Sequence, residues 1–490
     1  MNHLLPLLVA LPVLGALVPF GLGRRFPALS RRATAVVLLG QVGLAVAVVA
    51  GVAANGSLTY VVGGLPAAVG IGLLADQVSS LFVLFVAVAA ATLYVTVRTD
   101  PTGSTDALWL LFVAGLTGIA VTADVFNLYV FLEIAGLAAY ALVASRRGPT
   151  AALAALHYLL VGTVGATFYL LGVGYLYVAT GTLAMADLGP ALARVGYDSP
   201  LVGAAFLLVV LGLGVKLALF PLHTWKPDAY AAAETDVAAL LATLGSTIPG
   251  YALVRLTFDV FTVEFLATVS LVRTGLLIAG VVSTVVGGYL TLRQSNVRRL
   301  LSYSSVLQFG LIVVGIGLAT PAAVTAVIVL LVANGIAKGG LFVAAGVFER
   351  EFGAYTVAEY AGRARDRPVL AAAVAIAFTS LVGLPPTVGF AGKWYLAVAA
   401  VAVGEWIVAA VVLLSTLLSL TYAARVVEQL YLSPAPADET VAADGGAGAT
   451  RPVSAVAVAV VVLSAVATVV LGLGSTAFAE WIAPVVEGWV

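Results

Sequence analysis

Lysine is rare in this chain, and most of its lysines lie in strongly apolar surroundings. The 490-residue sequence has four lysines, of which Lys216, Lys338 and Lys393 fall inside long apolar stretches, whereas its 19 arginines lie almost entirely between such stretches. Arginine stays protonated in proteins, whereas a buried lysine can release its proton. A charged side chain at the centre of a bilayer costs at least about 2.5–3.5 kcal/mol, so three buried lysines require an explanation. The chemistry that they suggest is proton transfer.

One carboxylate, Glu133, lies in the middle of another apolar stretch. An isolated carboxylate ion in hydrocarbon would be neutralised or paired. Two interpretations are open: a structural ion pair that locks two helices, or a pair with Lys216 whose separation decides whether the lysine keeps its proton. At about 7 Å and an effective dielectric constant near 20, two unit charges interact by about 2.4 kcal/mol, which is enough for such control.

Further polar residues share these apolar stretches. Asn334 and Lys338 are four residues apart and therefore lie on one helix face. Lys338 is about seven residues from the nearer end of its stretch, too far for its ammonium group to reach the membrane surface comfortably. Gln308 and Thr247 could bind a chain of water molecules, as could serines near them, although such residues more often serve helix packing.

Of three residues near the ends of apolar stretches, two have two interpretations each and the third has one. His223 titrates near neutrality and could pass protons to solvent, or it could anchor a loop. Asp76 could cap a helix or line a path for ions. Lys226 is interpreted as a solvated charge in a cytoplasmic loop.

The composition places the protein in a membrane. The chain is 62% hydrophobic and 9% charged, against about 25% charged residues in ordinary soluble domains. A transmembrane helix needs about 20 mostly apolar residues, and fourteen such segments are predicted. They lie near 3–22, 33–54, 70–97, 106–122, 125–145, 153–180, 200–220, 237–258, 267–291, 301–318, 321–346, 368–402, 405–431 and 454–476. We therefore predict an all-α polytopic membrane protein, in the plasma membrane of a prokaryote.

The same composition argues against a cofactor on this chain. It has no cysteine, which excludes disulfides, thiolate metal sites and iron–sulfur clusters, and only three histidines. We expect neither a metal nor a cofactor, and no enzymatic activity of its own.

Basic residues predict the orientation. The loops after the odd-numbered segments hold seventeen lysines and arginines, whereas the alternate loops hold only Arg194. Because basic loops remain in the cytoplasm, both termini are expected outside the cell. The interruption from Ser433 to Arg451, rich in Ala, Pro, Gly and Asp, is expected to be a flexible cytoplasmic loop.

Two segments carry prolines beside a lysine. Pro221 follows Lys216 in the seventh, and the pair Pro385 and Pro386 precedes Lys393 in the twelfth. Helices broken at corresponding positions of two halves are typical of transporters built from repeats. We therefore predict two five-helix repeats, helices 4–8 and 9–13, with helices 7 and 12 broken.

The predicted organisation is a single membrane domain over 1–490. N-terminal helices occupy 1–97, the first repeat 106–258 and the second repeat 267–431. The flexible loop covers 432–453, and a C-terminal helix and tail cover 454–490.

Four sequence runs carry a resemblance to a known family. They are Phe126 to Glu133, Lys216 with Pro221 to Ala229, Leu301 to Ser305, and Gly383 to Lys393. These runs resemble the antiporter-like subunits, a superfamily that covers proton-pumping membrane subunits of complex I, membrane-bound hydrogenases and Mrp-type cation/proton antiporters. The run before Glu133, and a lysine rather than a glutamate on the twelfth helix, resemble most closely the Mrp D subunit.

The resemblance implies a proton or cation path through Glu133, Lys216, Lys338 and Lys393. It also implies that a fifth-helix glutamate pairs with a seventh-helix lysine. The sequence departs from the family pattern where Thr247 replaces the usual eighth-helix lysine, where Asn334 replaces a common histidine, and where Tyr230 replaces another histidine. The central path is therefore expected to have one titratable relay fewer.

Three functions follow from the resemblance. The first is an ion-translocating subunit of a multi-subunit antiporter that exchanges a monovalent cation, sodium being expected, for protons. The second is a proton-pumping subunit of an NADH-quinone oxidoreductase-like or hydrogenase complex, and the third is a structural subunit that has lost conduction. In each case the expected partners are other membrane subunits and the lipid bilayer, and not nucleic acid.

Overall fold

The structure is a computed structural model that describes residues 2–64, 70–96, 103–434 and 454–490. Most of the predicted loop 432–453 lies outside the described residues, as do Arg98 and Arg451 of the basic loops.

Fourteen apolar segments form spans, which confirms the predicted fold class. Within the described ranges, thirteen helices are long and apolar enough to cross a membrane, and one further span is broken into two shorter apolar helices. Spans 1 to 7 are Leu4–Leu22, Pro27–Asn55, Gln77–Tyr94, Ser104–Val121, Val125–Ala144, Pro149–Thr180 and Pro200–Leu217. Spans 8 to 11 are Thr235–Thr268, Ser270–Leu292, Val297–Leu318 and Pro321–Phe352. Span 12 is Pro368–Val382 with Val388–Ala402, span 13 is Trp406–Tyr431 and span 14 is Ala455–Leu473.

Shorter elements connect or follow the spans. The helix Met185–Val195 lies between spans 6 and 7, Trp225–Ala232 follows the break of span 7, and Ser475–Trp489 ends the chain. Val62–Gly64, Ala358–Tyr360 and Arg363–Asp366 are single short turns.

The two largest differences from the predicted boundaries have an electrostatic and a backbone cause, beside shifts of six residues at the start of span 2 and the end of span 11. Span 8 continues to Thr268, ten residues past the predicted end at 258, because Asp259, just beyond that end, is paired with Arg255 (3.1 Å), which is itself paired with Asp76 (2.7 Å) inside the fold. The predicted third segment began at 70, but Gly72–Ala75 forms a strand, β2, that pairs antiparallel with β1, Leu58–Val61. The helix begins only after Asp76.

Burial separates central from peripheral spans. About 94% of the most apolar stretch of spans 8, 10 and 11 is buried, against 28% for spans 1 and 14. Large apolar side chains on other spans are exposed, including Leu137, Leu160 and Ile407, as expected for surfaces that face lipid. Spans 8, 10 and 11 carry several of the buried polar residues, among them Ser246, Gln308 and Lys338, whereas Lys216 and Lys393 are buried on spans 7 and 12.

Spans 7 and 12 are both interrupted, as the prolines predicted. Span 7 ends at Leu217, is followed by Ala218 in the left-handed conformation (φ 60°), and resumes at Trp225. The first half of span 12 ends before Gly383, also left-handed (φ 83°), and the second half begins at Val388. Each interruption leaves backbone carbonyls without helical partners in the middle of the fold. The division into two repeats and the domain boundaries stay predictions.

Candidate functional site

Glu133 and Lys216 face each other across spans 5 and 7. The Glu133 Oε1 atom lies 3.9 Å from the Lys216 Nζ atom, and the side chains are 22% and 7% exposed. At this distance, and at an effective dielectric constant near 20, the two charges would attract by about 4 kcal/mol. The Lys216 ammonium donates its hydrogen bond to the Tyr140 hydroxyl (2.9 Å) rather than to the carboxylate. The carboxylate therefore acts on the lysine through charge and can move without breaking a hydrogen bond to it.

Tyr140 belongs to an aromatic cluster that sequence reasoning did not identify. Its ring meets Tyr158 edge-on (4.6 Å between centroids), and Tyr158 stacks face to face on Trp225 (4.0 Å). The indole N–H of Trp225 donates to the carbonyl of Val215 (3.0 Å), which is one of the carbonyls at the break of span 7. A signal was available, since Tyr140 lies seven residues after Glu133 and so on the same helix face.

Lys226 is buried, and its interpretation as a solvated loop charge was wrong. The residue is 1% exposed and its ammonium donates to the Ser246 hydroxyl of span 8 (2.8 Å). It also lies over the rings of Phe309 (4.8 Å) and Tyr230 (5.4 Å). The chain enters the protein again after the break of span 7 instead of staying in a surface loop, and it brings Lys226 with it. The orientation stays a prediction from the sequence.

Ser246 joins two lysines. Its hydroxyl accepts from the Lys226 ammonium and donates to the backbone carbonyl of Lys216 (2.7 Å). The neighbouring Thr247 is fully buried, and its hydroxyl donates to the carbonyl of Thr243 one turn earlier (2.7 Å). The structure thus places Lys226, rather than Thr247, at the polar contact between the break of span 7 and span 8.

Lys338 lies in span 11 and is fully buried. Its ammonium donates to the carbonyl of Leu301 (2.5 Å) and to the hydroxyl of Ser304, both on span 10. Gly339 permits span 8 to approach closely, because a Cβ atom there would lie 2.4 Å from the hydroxyl oxygen of Thr243. The two polar side-chain atoms of Asn334 are buried and have no hydrogen-bond partner among the described residues. Buried polar groups of this kind are normally satisfied by water.

Lys393 occupies the break of span 12. Its ammonium donates to the carbonyl of Val382 (3.0 Å), the last residue of the first half-helix. A cation at a helix C-terminus is stabilised by the helix dipole. The Gln308 amide of span 10 donates to the adjacent carbonyl of Leu381 (2.8 Å), so this break is held by one amide and one ammonium group.

His223 and Asp76 contact residues other than Glu133 and the buried lysines. His223 is in the interruption of span 7, with its ring near Phe220 and Tyr303, and is almost fully buried. Asp76 caps span 3, since its carboxylate accepts from the backbone N–H of Ser79 (2.8 Å), and it also pairs with Arg255. Asp76 thus has a clear structural role.

Charge is distributed unevenly along the site. In the ranges that the structure describes, Lys216 has a carboxylate within 4 Å, whereas Lys226, Lys338 and Lys393 have none. The same ranges contain no cluster of three or more acidic or histidine side chains that could hold a metal ion. What the arrangement can do is hold, release and pass protons between buried amines.

Known proteins resemble this chain in sequence. The profile of the family described as "NADH:quinone oxidoreductase/Mrp antiporter, TM" matches residues 122–419. NADH-quinone oxidoreductase subunit N of Desulforudis audaxviator (strain MP104C) is 39% identical over 291 residues, which are 59% of this chain and 56% of the relative. The D subunit of the Na(+)/H(+) antiporter of Bacillus subtilis (strain 168) is 32% identical over 54% of this chain and 52% of its own length. The chain thus spans about half the length of these curated relatives.

Solved structures resemble the chain over almost its whole length. A chain of the Mrp complex from Dietzia sp. DQ12-45-1b superposes with a TM-score of 0.88 at 26% identity, covering 100% of this chain and 97% of that one. A chain of respiratory complex I from Thermus thermophilus with bound NADH superposes with a TM-score of 0.83 at 25% identity, covering 99% and 98%. Both structures are multi-subunit membrane complexes.

Proposed function

Since the chain belongs to the NADH:quinone oxidoreductase/Mrp antiporter membrane family, we propose that it is an ion-translocating subunit of a multi-subunit complex. Protons move through a buried path that contains Glu133, Lys216, Lys338 and Lys393. The observation that carries the proposal is the position of Glu133, 3.9 Å from a lysine that it does not hydrogen-bond. Such a pair changes the proton affinity of the lysine whenever the carboxylate moves.

The path works by charge rather than by large movement. When Glu133 is close, the attraction of about 4 kcal/mol keeps Lys216 protonated. When the carboxylate moves away, burial favours the neutral amine, and the proton passes on. Lys338 and Lys393 have neutral acceptors instead, so their protonation responds to neighbouring amines and to water.

The parent complex that we propose is a cation/proton antiporter, in which sodium or another monovalent cation is exchanged for protons. The resemblance to the Bacillus subtilis antiporter protein and to the Mrp complex chain supports it. The second candidate is a proton-pumping subunit of a redox complex, which the 39% identical quinone oxidoreductase subunit favours. In that case the redox centres belong to partner subunits.

One vesicle experiment distinguishes these candidates. The complex is purified from its native membrane by a tag on this chain and placed in vesicles with a pH-sensitive dye. Proton movement driven by a sodium gradient without NADH or quinone would support the antiporter. Proton movement only during NADH oxidation would support the redox pump. If an intact complex moves protons under neither condition, the proposed function is wrong.

The proposed orientation has both termini outside the cell, and it is directly testable because the chain has no native cysteine. Ser57 and Thr150 are exposed and lie at opposite ends of the spans. We expect an impermeant thiol reagent to label Ser57→Cys in intact cells and Thr150→Cys only after the cells are opened. The reverse pattern would overturn the orientation.

A further inference from the structure

Lys226 is an ionisable side chain that is only 1% exposed, and the family resemblance gives it no role. It follows the break of span 7, and its ammonium lies between span 8, where it donates to Ser246, and span 10, where it lies over the ring of Phe309. No carboxylate lies within 4 Å of it in the described residues. Burying a permanently charged amine without a counter-charge is costly, so a fixed ammonium is a poor description of this site.

The position of Lys226 connects it to the first half of the path. The Ser246 hydroxyl accepts from Lys226 at 2.8 Å and donates to the carbonyl of Lys216 at 2.7 Å. One hydroxyl therefore separates the Lys226 ammonium from the backbone of the lysine that faces Glu133.

The position of Lys226 also connects it to the second half. The ammonium of Lys338 binds Leu301 and Ser304 on span 10, and Lys226 contacts Phe309 on the same helix. Ser304 and Phe309 are five helical residues apart, a rise of about 7.5 Å along the axis of span 10, and like charges on two amines buried against neighbouring turns of one helix disfavour each other. A proton on one of them therefore disfavours a proton on the other.

We propose that Lys226 is a proton-carrying group that passes protons between Lys216 and Lys338. This proposal rests on the proposed translocation function. One proton arrives as the Lys226 amine becomes an ammonium, and one proton leaves toward Lys338 as it returns to the amine, so the site has no net change per cycle. Lys226, at the break of span 7, thus supplies the titratable group that is missing from span 8, where Thr247 replaces the usual lysine.

The alternative is that Lys226 only fastens the interruption of span 7 to span 8 through Ser246. The two roles differ in what arginine does. Arginine keeps a positive charge and hydrogen-bond donors but does not release a proton in proteins. A fastening role tolerates Lys226→Arg, whereas a carrier role does not.

The test uses the intact complex in vesicles, with the wild-type complex as the positive control. We expect Lys226→Met and Lys226→Arg to reduce proton translocation at least tenfold while the complex assembles. The double variant Lys226→Met/Thr247→Lys moves the amine to span 8, next to Ser246. We expect it to recover a substantial part of the wild-type rate of proton translocation.

Three outcomes would overturn the proposal. They are wild-type translocation by Lys226→Arg, wild-type translocation by Lys226→Met, and an assembled double variant that remains as inactive as Lys226→Met. If Lys226→Met does not assemble, Lys226→Arg decides alone. A wild-type complex that moves no protons would instead refute the translocation function itself, so the two failures are distinguishable.

Discussion

The freed carbonyls at the two broken spans accept from different side chains. At the break of span 7, the Val215 carbonyl accepts from the indole N–H of Trp225, whereas at the break of span 12 the Val382 carbonyl accepts from the ammonium of Lys393. In the first break the lysine is therefore free to face Glu133. In the second break the ammonium of Lys393 itself donates to the free carbonyl of Val382. Removing the Lys393 side chain would therefore change the structure and the transport at the same time.

The charges around the two lysines differ as well. Lys216 has a carboxylate at 3.9 Å, whereas the hydrogen-bond acceptor of Lys393 among the described residues is a backbone carbonyl. An ion pair can be adjusted by moving one partner, but a carbonyl dipole at a helix end is fixed. We therefore expect that control of proton binding lies in the first half, and that the second half follows the charge state passed to it.

The largest effect is expected from removing the controlling carboxylate. Glu133→Gln keeps the size of the side chain but removes the attraction of about 4 kcal/mol that favours protonated Lys216. We expect cation-driven proton exchange to fall to background in an assembled complex, measured with a pH-sensitive dye. The matched control is Glu264→Gln, an exposed carboxylate, which should leave the rate unchanged. Normal exchange by Glu133→Gln would show that the first half is not controlled by this pair.

A smaller but informative effect is expected at the second break. Lys393→Arg keeps a cation near the Val382 carbonyl but removes a group that can release its proton. We expect normal assembly with strongly reduced transport. Lys393→Met should in addition lose stability by about 1–3 kcal/mol, because a buried carbonyl loses its partner. Assembly is measured by pull-down of the partner subunits, and transport in the same vesicle assay. If Lys393→Arg transports at the wild-type rate, Lys393 is only a fixed helix cap.

Much of this architecture was predictable because its signals lie in short stretches of the sequence. Apolar length predicted the fourteen spans, and prolines beside Lys216 and Lys393 predicted both breaks. The end of span 8 was predicted too early, because Asp259 looks like a residue outside a membrane when its pairing with Arg255, and that of Arg255 with Asp76, is not known. Ion pairs between distant residues decide such boundaries, and one sequence does not show them.

The site was less predictable, for a similar reason. Lys226 follows a proline-containing interruption and precedes a second proline, a pattern typical of a surface loop. Its burial depends on spans 8 and 10, which enclose it with Ser246 and Phe309. Trp225 gave no indication of its bond to Val215 for the same reason, since that bond exists only when the chain turns back at the break.

A moderate effect is expected from removing the indole hydrogen bond of Trp225 while its ring packing is kept. Trp225→Phe keeps much of the aromatic surface that stacks on Tyr158 but removes the donor to the Val215 carbonyl. The Val215 carbonyl keeps its bond from the backbone N–H of Ala218 (3.1 Å), so the variant loses one hydrogen bond, worth about 0.5–1.5 kcal/mol, and we expect a lower thermal midpoint and a reduced transport rate. Trp406→Phe is the control, because Trp406 is 66% exposed. Equal thermal midpoints for the two variants would show that the carbonyl at the first break does not need the indole.

The smallest effect is expected from the glycine that makes room for Tyr140. A Cβ atom at Gly162 would lie 2.0 Å from the Tyr140 hydroxyl oxygen and 2.7 Å from the ring carbon that carries it. Gly162→Ala therefore has to displace the ring that accepts the hydrogen bond of Lys216. Overpacking of this kind typically costs about 1–3 kcal/mol, which the fourteen-span fold should tolerate.

The Gly162→Ala variant is expected to assemble and to transport several times more slowly than the wild type. Gly174→Ala lies on the same span with no atom within 4 Å of the added methyl group, so its rate should not change. Because Lys393 donates to a backbone carbonyl and to no tyrosine in the part of the chain that the structure describes, a slow rate in Gly162→Ala would locate the sensitivity in the first half. Equal rates for the two alanine variants would mean that Tyr140 only fills space beside Lys216, and that Glu133 alone sets its protonation.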